Sequence, residues 1–408
     1  MAGPLQDIVV LDLSRILAGP WATQVLADYG ATVLKVEHPR GGDDTRRWGP
    51  PYLKDADGRD TAESAYYLSA NRGKRSLAID FSRPEGQALV RRLASQADVL
   101  VENFKVGGLA RYGLGYADLA PANPRLVYLS ISAFGQDGPD AAKPGYDAMI
   151  QAMGGLMSIT GLPDGEPGAG PQKVGVAVAD LMCGMYAVSA ILAALFERER
   201  SGKGQYVDLS LLDTQVAWLA NQNLNYLVSG HPPRRQGTAH PNIVPYQSFA
   251  TADGHLMLAV GNDAQFVRFC EAAGAPELAA DPRYAANEDR VAQRARLVPA
   301  VAALLRRRTT AQWLAALEAA QVPCGPINDL AQVFEEPQVR HRGLRLDLPH
   351  PVAGSTPGVR NPVRFSRTHI EYERAPPPLG ADTRTELRER LGLDDASLGE
   401  LAARGVIA

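Results

Sequence analysis

The strongest constraint on this chain lies between residues 8 and 132, where short apolar runs alternate with helix-forming stretches. Ile8-Val-Val-Leu-Asp-Leu13 reads as a buried strand. Trp21 to Tyr29 reads as a helix, with Gly30 placed as its C-terminal stop. Ala31-Thr-Val-Leu-Lys-Val36 is a second strand, so a βαβ unit closes within about 30 residues. Arg75–Asp80 is a further strand. Ser82-Arg-Pro-Glu85 has the pattern of a capping box with proline in the first turn, opening a helix to about Ala97. Asp98–Glu102 and Leu126–Ser132 add two more strands. This alternation predicts an α/β fold with a doubly wound, mostly parallel, Rossmann-like sheet. Ligands of such sheets sit beyond the carboxyl ends of the strands. Those ends carry Glu37-His38, Asn103-Phe104 and Ala133-Phe134.

Beyond the sheet the pattern changes. Residues 133–173 are rich in Gly, Pro and Asp and are expected to form long loops. A helix follows to about Arg200, then the turn Ser201-Gly-Lys-Gly204 and an alternating stretch Gln205–Ser210. From about residue 230, short strands such as His255–Val260 and amphipathic helices through Ala264–Ala273 and Arg290–Leu305 suggest a second, smaller α+β domain. We expect a large domain over 1–205 plus 330–408, a small domain inserted at 226–325, and linkers at 206–225 and 326–330. A terminal helix is expected near Thr383–Leu391.

The net charge of -3 gives no electrostatic reason to expect nucleic acid. The cysteines Cys183, Cys270 and Cys324 are odd in number and far apart, which fits a reducing cytoplasm better than a disulfide framework. The first residues lack the basic and apolar regions of a signal peptide. Leu181–Phe196 is shorter than a usual membrane span and is closed by Glu197-Arg-Glu-Arg200, so a buried helix is expected and no membrane partner. Seven histidines without metal spacing give no metal site.

Asp180 is the only carboxylate between Glu166 and Glu197. It interrupts an apolar segment from Val174 to Phe196, where a lone ionisable group is costly to bury. One reading is a helix N-cap, where Asp is favoured for backbone reasons. The other is chemistry. The first βα turn, Ser14-Arg-Ile-Leu-Ala-Gly-Pro20, lacks the dinucleotide glycine fingerprint, and no Walker loop, His-Glu-x-x-His or Gly-x-Ser-x-Gly occurs. The nicotinamide dehydrogenase and α/β-hydrolase readings lose support.

Several short motifs then fall in a characteristic order: Leu17-Ala-Gly-Pro20, Gly42-Asp-Asp-Thr-Arg46, Asn71-Arg-Gly-Lys-Arg-Ser76, Val101-Glu-Asn-Phe104, Ala179-Asp180 with Gly184, Ser201-Gly-Lys-Gly-Gln205 and Pro323-Cys-Gly-Pro326. In these, nearly end to end, the chain resembles the class III CoA-transferases, the family of formyl-CoA transferase and carnitine CoA-transferase. The resemblance implies an interlocked homodimer of two threaded chains, with a CoA thioester as co-substrate and no permanently bound cofactor. It implies that Asp180 is the nucleophile, passing through an aspartyl acyl anhydride and an aspartyl-CoA thioester. Such an Asp180 must ionise. Full burial raises a carboxylate pKa by roughly 3–5 units, whereas a helix N-terminus returns about 1.5 units at most. A pocket with further donors or a cation is therefore expected, with Lys173 a candidate cation.

By the same resemblance, CoA contacts fall at Leu17, Ala18, His38, Ile79, Asn103, Phe104, Arg111 and Lys143; at His38, relatives often carry arginine. The related 2-methylacyl-CoA racemases carry a histidine in Gly-His-Asp, where this chain has Gly145-Tyr146-Asp147. Tyrosine, with a pKa near 10, is a poor second acid/base, which favours transfer over racemisation. Formyl-CoA transferases close four glycines over the acyl intermediate. Here the stretch is Gly237-Thr-Ala-His-Pro-Asn-Ile-Val-Pro245, similar to the branch using succinyl-CoA with glutarate, itaconate or similar acids. Its His240 and Asn242, with Tyr146, become candidate substrate contacts, His240 either as a hydrogen-bond donor or as a loop histidine with structural bonds. A second acceptor carboxylate needs a cation, and Arg46 or Arg47 beside Trp48 is the candidate. Rival readings are the racemase, a non-catalytic acyl-CoA-binding protein, and a CoA hydrolase.

Overall fold

The structure is a computed structural model that describes residues 3–408; Met1 and Ala2, where the large domain is expected to begin, lie outside the described residues. The chain forms two compact units, the first from residues through Leu156, Lys173–His231 and Arg340–Ala408, the second from Met157–Gln172 and Pro232–Val339.

In the first unit the elements run β1 (Val9–Asp12), α1 (Ala18–Asp28), β2 (Thr32–Glu37), a hairpin of β3 (Tyr52–Lys54) and β4 (Asp60–Ser64), α2 (Ala65–Ser69), β5 (Lys74–Ala78), α3 (Pro84–Ala94) and β6 (Val99–Glu102). They continue through α4 (Tyr116–Leu119), β7 (Val127–Ser132), α5 (Asp147–Met153), α6 (Leu156–Ile159, most of which belongs to the second unit), α7 (Val178–Ser201), β8 (Tyr206–Ser210), α8 (Leu211–Trp218) and α9 (Asn221–Ser229). The sheet order is β5-β2-β1-β6-β7-β8 with every pair parallel. Strands are added in one direction from β1 to β2 and β5 and in the other from β6 to β7 and β8, so the switch point where doubly wound folds bind ligands lies between β1 and β6.

Both sheet faces are covered, so the strands are rich in buried apolar residues, and the charges they bury, Asp12, Lys35, Glu37 and Lys74, are paired. Val10, Val33, Val99 and Val101 point to a core shared with Ala22 and Leu26 of α1 and Cys183, Ala187 and Ile191 of α7. Leu11, Leu34 and Leu100 point to the opposite core, built with Leu89 and Leu93 of α3 and the C-terminal Leu387, Leu391, Leu398 and Ile407. By length and composition α7 could cross a membrane; here one face of it is core.

Four local readings change. The alternating stretch at 206–210 is a sheet strand paired to β7, so the linker drawn from 206 begins inside the sheet. Residues 133–173 hold two short helices, α5 and α6, among their loops. The capping box at Ser82–Glu85 does not form: Arg83 is the N-cap of α3, Pro84 takes the first helical position, and Ser82 Oγ donates to Asp80. Asp180 is not an N-cap either, because Ala177 holds that position without a side-chain cap. Gly30, at φ 99°, ends α1 as expected.

The second unit has an antiparallel sheet, β11-β10-β9 (Cys324–Pro326, His255–Ala259, Tyr246–Ala250). Its core joins Phe249, Leu256, Phe266, Phe269, Val301 and Trp313.

Candidate active site

The loop from β1 to α1 is held from three sides. Asn103, just past β6, accepts from Arg15 N at 2.8 Å and donates to Arg15 O at 2.7 Å, spanning the switch point. Asp43 accepts from Ile16 N at 3.2 Å, and Lys35 Nζ donates to Ser14 O at 3.0 Å and to Asp43 at 3.0 Å. Ile16 itself sits at φ 70°, a costly conformation for a β-branched residue that these contacts secure. Behind the loop, Asp12, Lys35, Lys74 and Asp43 are buried charges in alternating pairs, with Lys74 Nζ 3.1 Å from Asp12. Burial pushes the Asp12 and Asp43 carboxyls up, but the lysines outweigh it and hold both below the usual carboxylate range. Burial wins at Lys74, which falls to about 8.

In front of the loop lies a cavity of about 180 Å³ at the carboxyl ends of the strands. It brings together four expected CoA contacts, His38, Ile79, Phe104 and Arg111, and adds Arg15, Phe81, Ser82 and Tyr112. Phe81 meets Phe104 and Tyr112 edge-on, which forms an aromatic floor. The Phe104 backbone is fixed by Glu102, whose Oε2 accepts from Phe104 N at 2.8 Å. Burial raises Glu102 to about 7 against its bonds from Ser130 and Phe104. The other four expected contacts lie apart from the lining. Leu17 and Ala18 are buried at the start of α1, Asn103 spends its amide on Arg15, and the exposed Lys143 pairs with Asp140 at 2.6 Å.

Asp180 is the third residue of α7 and is 9% exposed. Asp147, 33 positions upstream, supplies the missing cap: its Oδ1 accepts from Ala179 N at 2.8 Å and from Asp180 N at 3.3 Å. Gln151 holds the other Asp147 oxygen at 2.7 Å. Among the described residues, no hydrogen bond or ion pair reaches the Asp180 carboxylate. Burial, and then the Asp147 charge, push it up to about 7. The expected cation is not there, since Lys173 is exposed and its Nζ donates to Val174 O. Instead a tyrosine stands close. Burial raises Tyr66 to about 12, with Asp180, Asp147 and Asp43 adding to the shift in that order.

The two arginines before Trp48 separate sharply. Arg46 is buried, forks onto Glu37 at 2.8 and 2.7 Å, bonds Tyr67 and Pro377 O, and lies 3.7 Å over the Tyr67 ring. It is a framework residue and cannot reach a substrate, which corrects the expectation for Arg46. Arg47 is exposed and pairs with Asp44 at 3.3 Å. Trp48 stands edge-on to Tyr66 at 5.2 Å. Tyr146 is 70% exposed at the N-cap of α5. In the second unit, His240 Nδ1 accepts from Asn242 N, its ring packs on Tyr246, and burial with the Arg294 charge lowers its pKa. The Asn242 carbonyl accepts from Asn287.

Sequence reasoning missed Arg15, Tyr66 and the capping role of Asp147. Arg15 stood in the turn quoted for its missing glycines, and only the lining of the cavity marks it. Tyr66 carries no local signal. Asp147 was weighed only as the neighbour of Tyr146.

Comparison with known proteins gives one direction. The sequence profile of CoA-transferase family III matches residues 5–383. Succinate–glutarate CoA-transferase of Agrobacterium fabrum is 54% identical over 377 residues, covering 92% of this chain and 93% of that protein. Succinyl-CoA:glutarate CoA-transferase of Homo sapiens is 43% identical over 406 residues, covering 99% and 90%. The crystal structure of a CAIB/BAIF family protein from Brucella suis superposes with a TM-score of 0.84 at 47% identity, covering 96% of this chain and 100% of that one.

Proposed function

Because the chain belongs to CoA-transferase family III, we propose that it moves CoA from succinyl-CoA to a carboxylic acid acceptor, a dicarboxylate such as glutarate or itaconate. The observation that carries this reading is Asp180: a buried carboxylate in the first turn of a long helix that, among the described residues, no hydrogen bond or ion pair reaches. A carboxylate locked in a salt bridge would be a poor nucleophile. This one is uncommitted.

The chemistry follows as four acyl exchanges. An Asp180 oxygen attacks the succinyl carbonyl carbon; the C–S bond breaks and CoA thiolate leaves with its electron pair, giving a mixed anhydride. The thiolate attacks Asp180 Cγ and expels succinate, giving the aspartyl-CoA thioester. The acceptor carboxylate attacks that thioester carbon and frees the thiolate again. The thiolate then attacks the acceptor's carbonyl carbon, which yields the new acyl-CoA and restores Asp180. No step requires net proton transfer. The apolar surroundings of Asp180 protect both intermediates from water.

The cavity would hold the phosphate-bearing and pantetheine parts of CoA, with His38, Phe104 and Arg111 as contacts. Arg47, beside Trp48, replaces Arg46 as the proposed cation for the acceptor's second carboxylate. The small unit is read as an inserted domain. The resemblance further proposes an interlocked homodimer. The exposed Leu227 and Val228 of α9, 70% and 82% accessible, support a second copy covering that helix. The cysteines, two of them buried, suit a cytoplasmic enzyme.

The test is isotope exchange. Labelled succinate incubated with succinyl-CoA should enter the thioester pool, and a panel of dicarboxylic acids should form new thioesters read by mass spectrometry. A racemase would place solvent deuterium on a 2-methylacyl-CoA without exchange. A hydrolase would release thiol without an acceptor, and a binding protein would do neither.

A further inference from the structure

Arg15 is a cationic group that the site as described leaves without a task. Its backbone is clamped on both sides by Asn103, so the loop cannot swing it away. Its side chain lines the cavity, with the guanidinium 5.9 Å from the centre of the Phe104 ring. There Arg15 pairs with Asp44 at 2.8 Å, and the same Asp44 carboxylate holds Arg47 at 3.3 Å through its other oxygen. The pair is half-exposed, 52% and 36% for the two side chains, so exchanging it for another anion costs little. A planar fork on a fixed backbone suits a phosphate better than a lone carboxylate oxygen.

We infer that Arg15 binds a phosphate of the CoA moiety, and that Asp44 is its counterion in the empty site, displaced when the thioester enters. This rests on the cavity being the CoA site. It also gives Asp44 a second consequence: once Arg15 turns to phosphate, Asp44 is left to Arg47 alone. The two substrate-facing arginines therefore compete for one carboxylate.

The experiment uses the full-length protein and measures KM for succinyl-CoA with a saturating dicarboxylate acceptor. Arg15→Ala raises that KM about tenfold with a smaller change in kcat, as expected for loss of a charged hydrogen bond. Arg15→Lys recovers part of the loss, keeping the charge without the fork. Asp44→Asn lowers the KM about twofold, because the competing anion is gone. A purely structural ion pair predicts instead that Asp44→Asn and Arg15→Ala shift KM in the same direction, and that result overturns the proposal. Arg111→Ala is the control for the cavity. If it raises KM while Arg15→Ala does not, the Arg15 assignment alone falls; if neither variant moves KM, the cavity assignment falls with it. Succinyl-dephospho-CoA separates the two phosphate sources. An Arg15→Ala effect that disappears with this substrate assigns the 3′-phosphate, and one that persists assigns the diphosphate; both uphold the inference.

Discussion

At the scale of single residues, Asp180 is a carboxylate that is costly to bury and that the proposed chemistry requires to ionise. With Asp180 raised to about 7, kcat/KM for succinyl-CoA should climb through neutral pH and fall about tenfold per pH unit below it. The same shift has a stability signature. Below the unfolded carboxyl value of 3.8 the group is protonated in both states and costs nothing. Between 3.8 and 7 only the unfolded chain releases its proton, so folding loses stability as pH rises, and above 7 the loss is complete. Asp180→Asn should therefore raise the melting temperature at pH 8 and leave it nearly unchanged at pH 4, with about 4 kcal/mol as the ceiling. Thermal unfolding at the two pH values reads this directly. The neighbouring arginines make a second contrast. Arg46→Ala strands the buried Glu37 carboxylate and should cost about 3–5 kcal/mol of stability. Arg47→Ala should leave stability within about 0.5 kcal/mol and raise KM for a dicarboxylic acceptor, measured against a monocarboxylic one. Adjacent residues in one short turn could not be told apart in the sequence, because their difference is made by Glu37 arriving from β2 behind one of them.

At the scale of elements, the helix carrying the proposed nucleophile is placed by contact with α1. A Cβ added to Gly184 would sit 2.8 Å from Ala18 O and 3.0 Å from the Trp21 ring. Gly184→Ala must push α1 and α7 apart, at about 1–3 kcal/mol, and should lower kcat together with the melting temperature. Strand and helix alternation was legible because the central strands β1, β6 and β7 are almost wholly buried apolar runs and α1 and α7 end at glycines, Gly30 and Gly202. The caps were less legible. Ser82 looked like a cap but bonds Asp80, and the cap of α7 comes from Asp147 far upstream, a partnership that no local pattern encodes. The β1–α1 loop was legible only as the lack of a glycine motif. Its strapping by Asn103, Asp43 and Lys35 arises from residues of β2, the segment after it and the end of β6 meeting around the loop.

At the scale of the whole molecule, family motifs marked positions rather than partners: four of the expected CoA contacts, His38, Ile79, Phe104 and Arg111, line one cavity. The cavity, Arg15 and Tyr66 emerge only when separate segments fold together. If a second copy covers α9, the protein should sediment as a dimer, and Leu227→Asp with Val228→Asp should shift it towards monomer. The central claim is that Asp180 becomes acylated during turnover. Peptide mass spectrometry after incubation with succinyl-CoA and hydroxylamine should find the hydroxamate at Asp180, and Asp180→Ala should lose about 10⁴-fold or more of the exchange rate. An unmodified Asp180 together with exchange undiminished in Asp180→Ala would contradict the account.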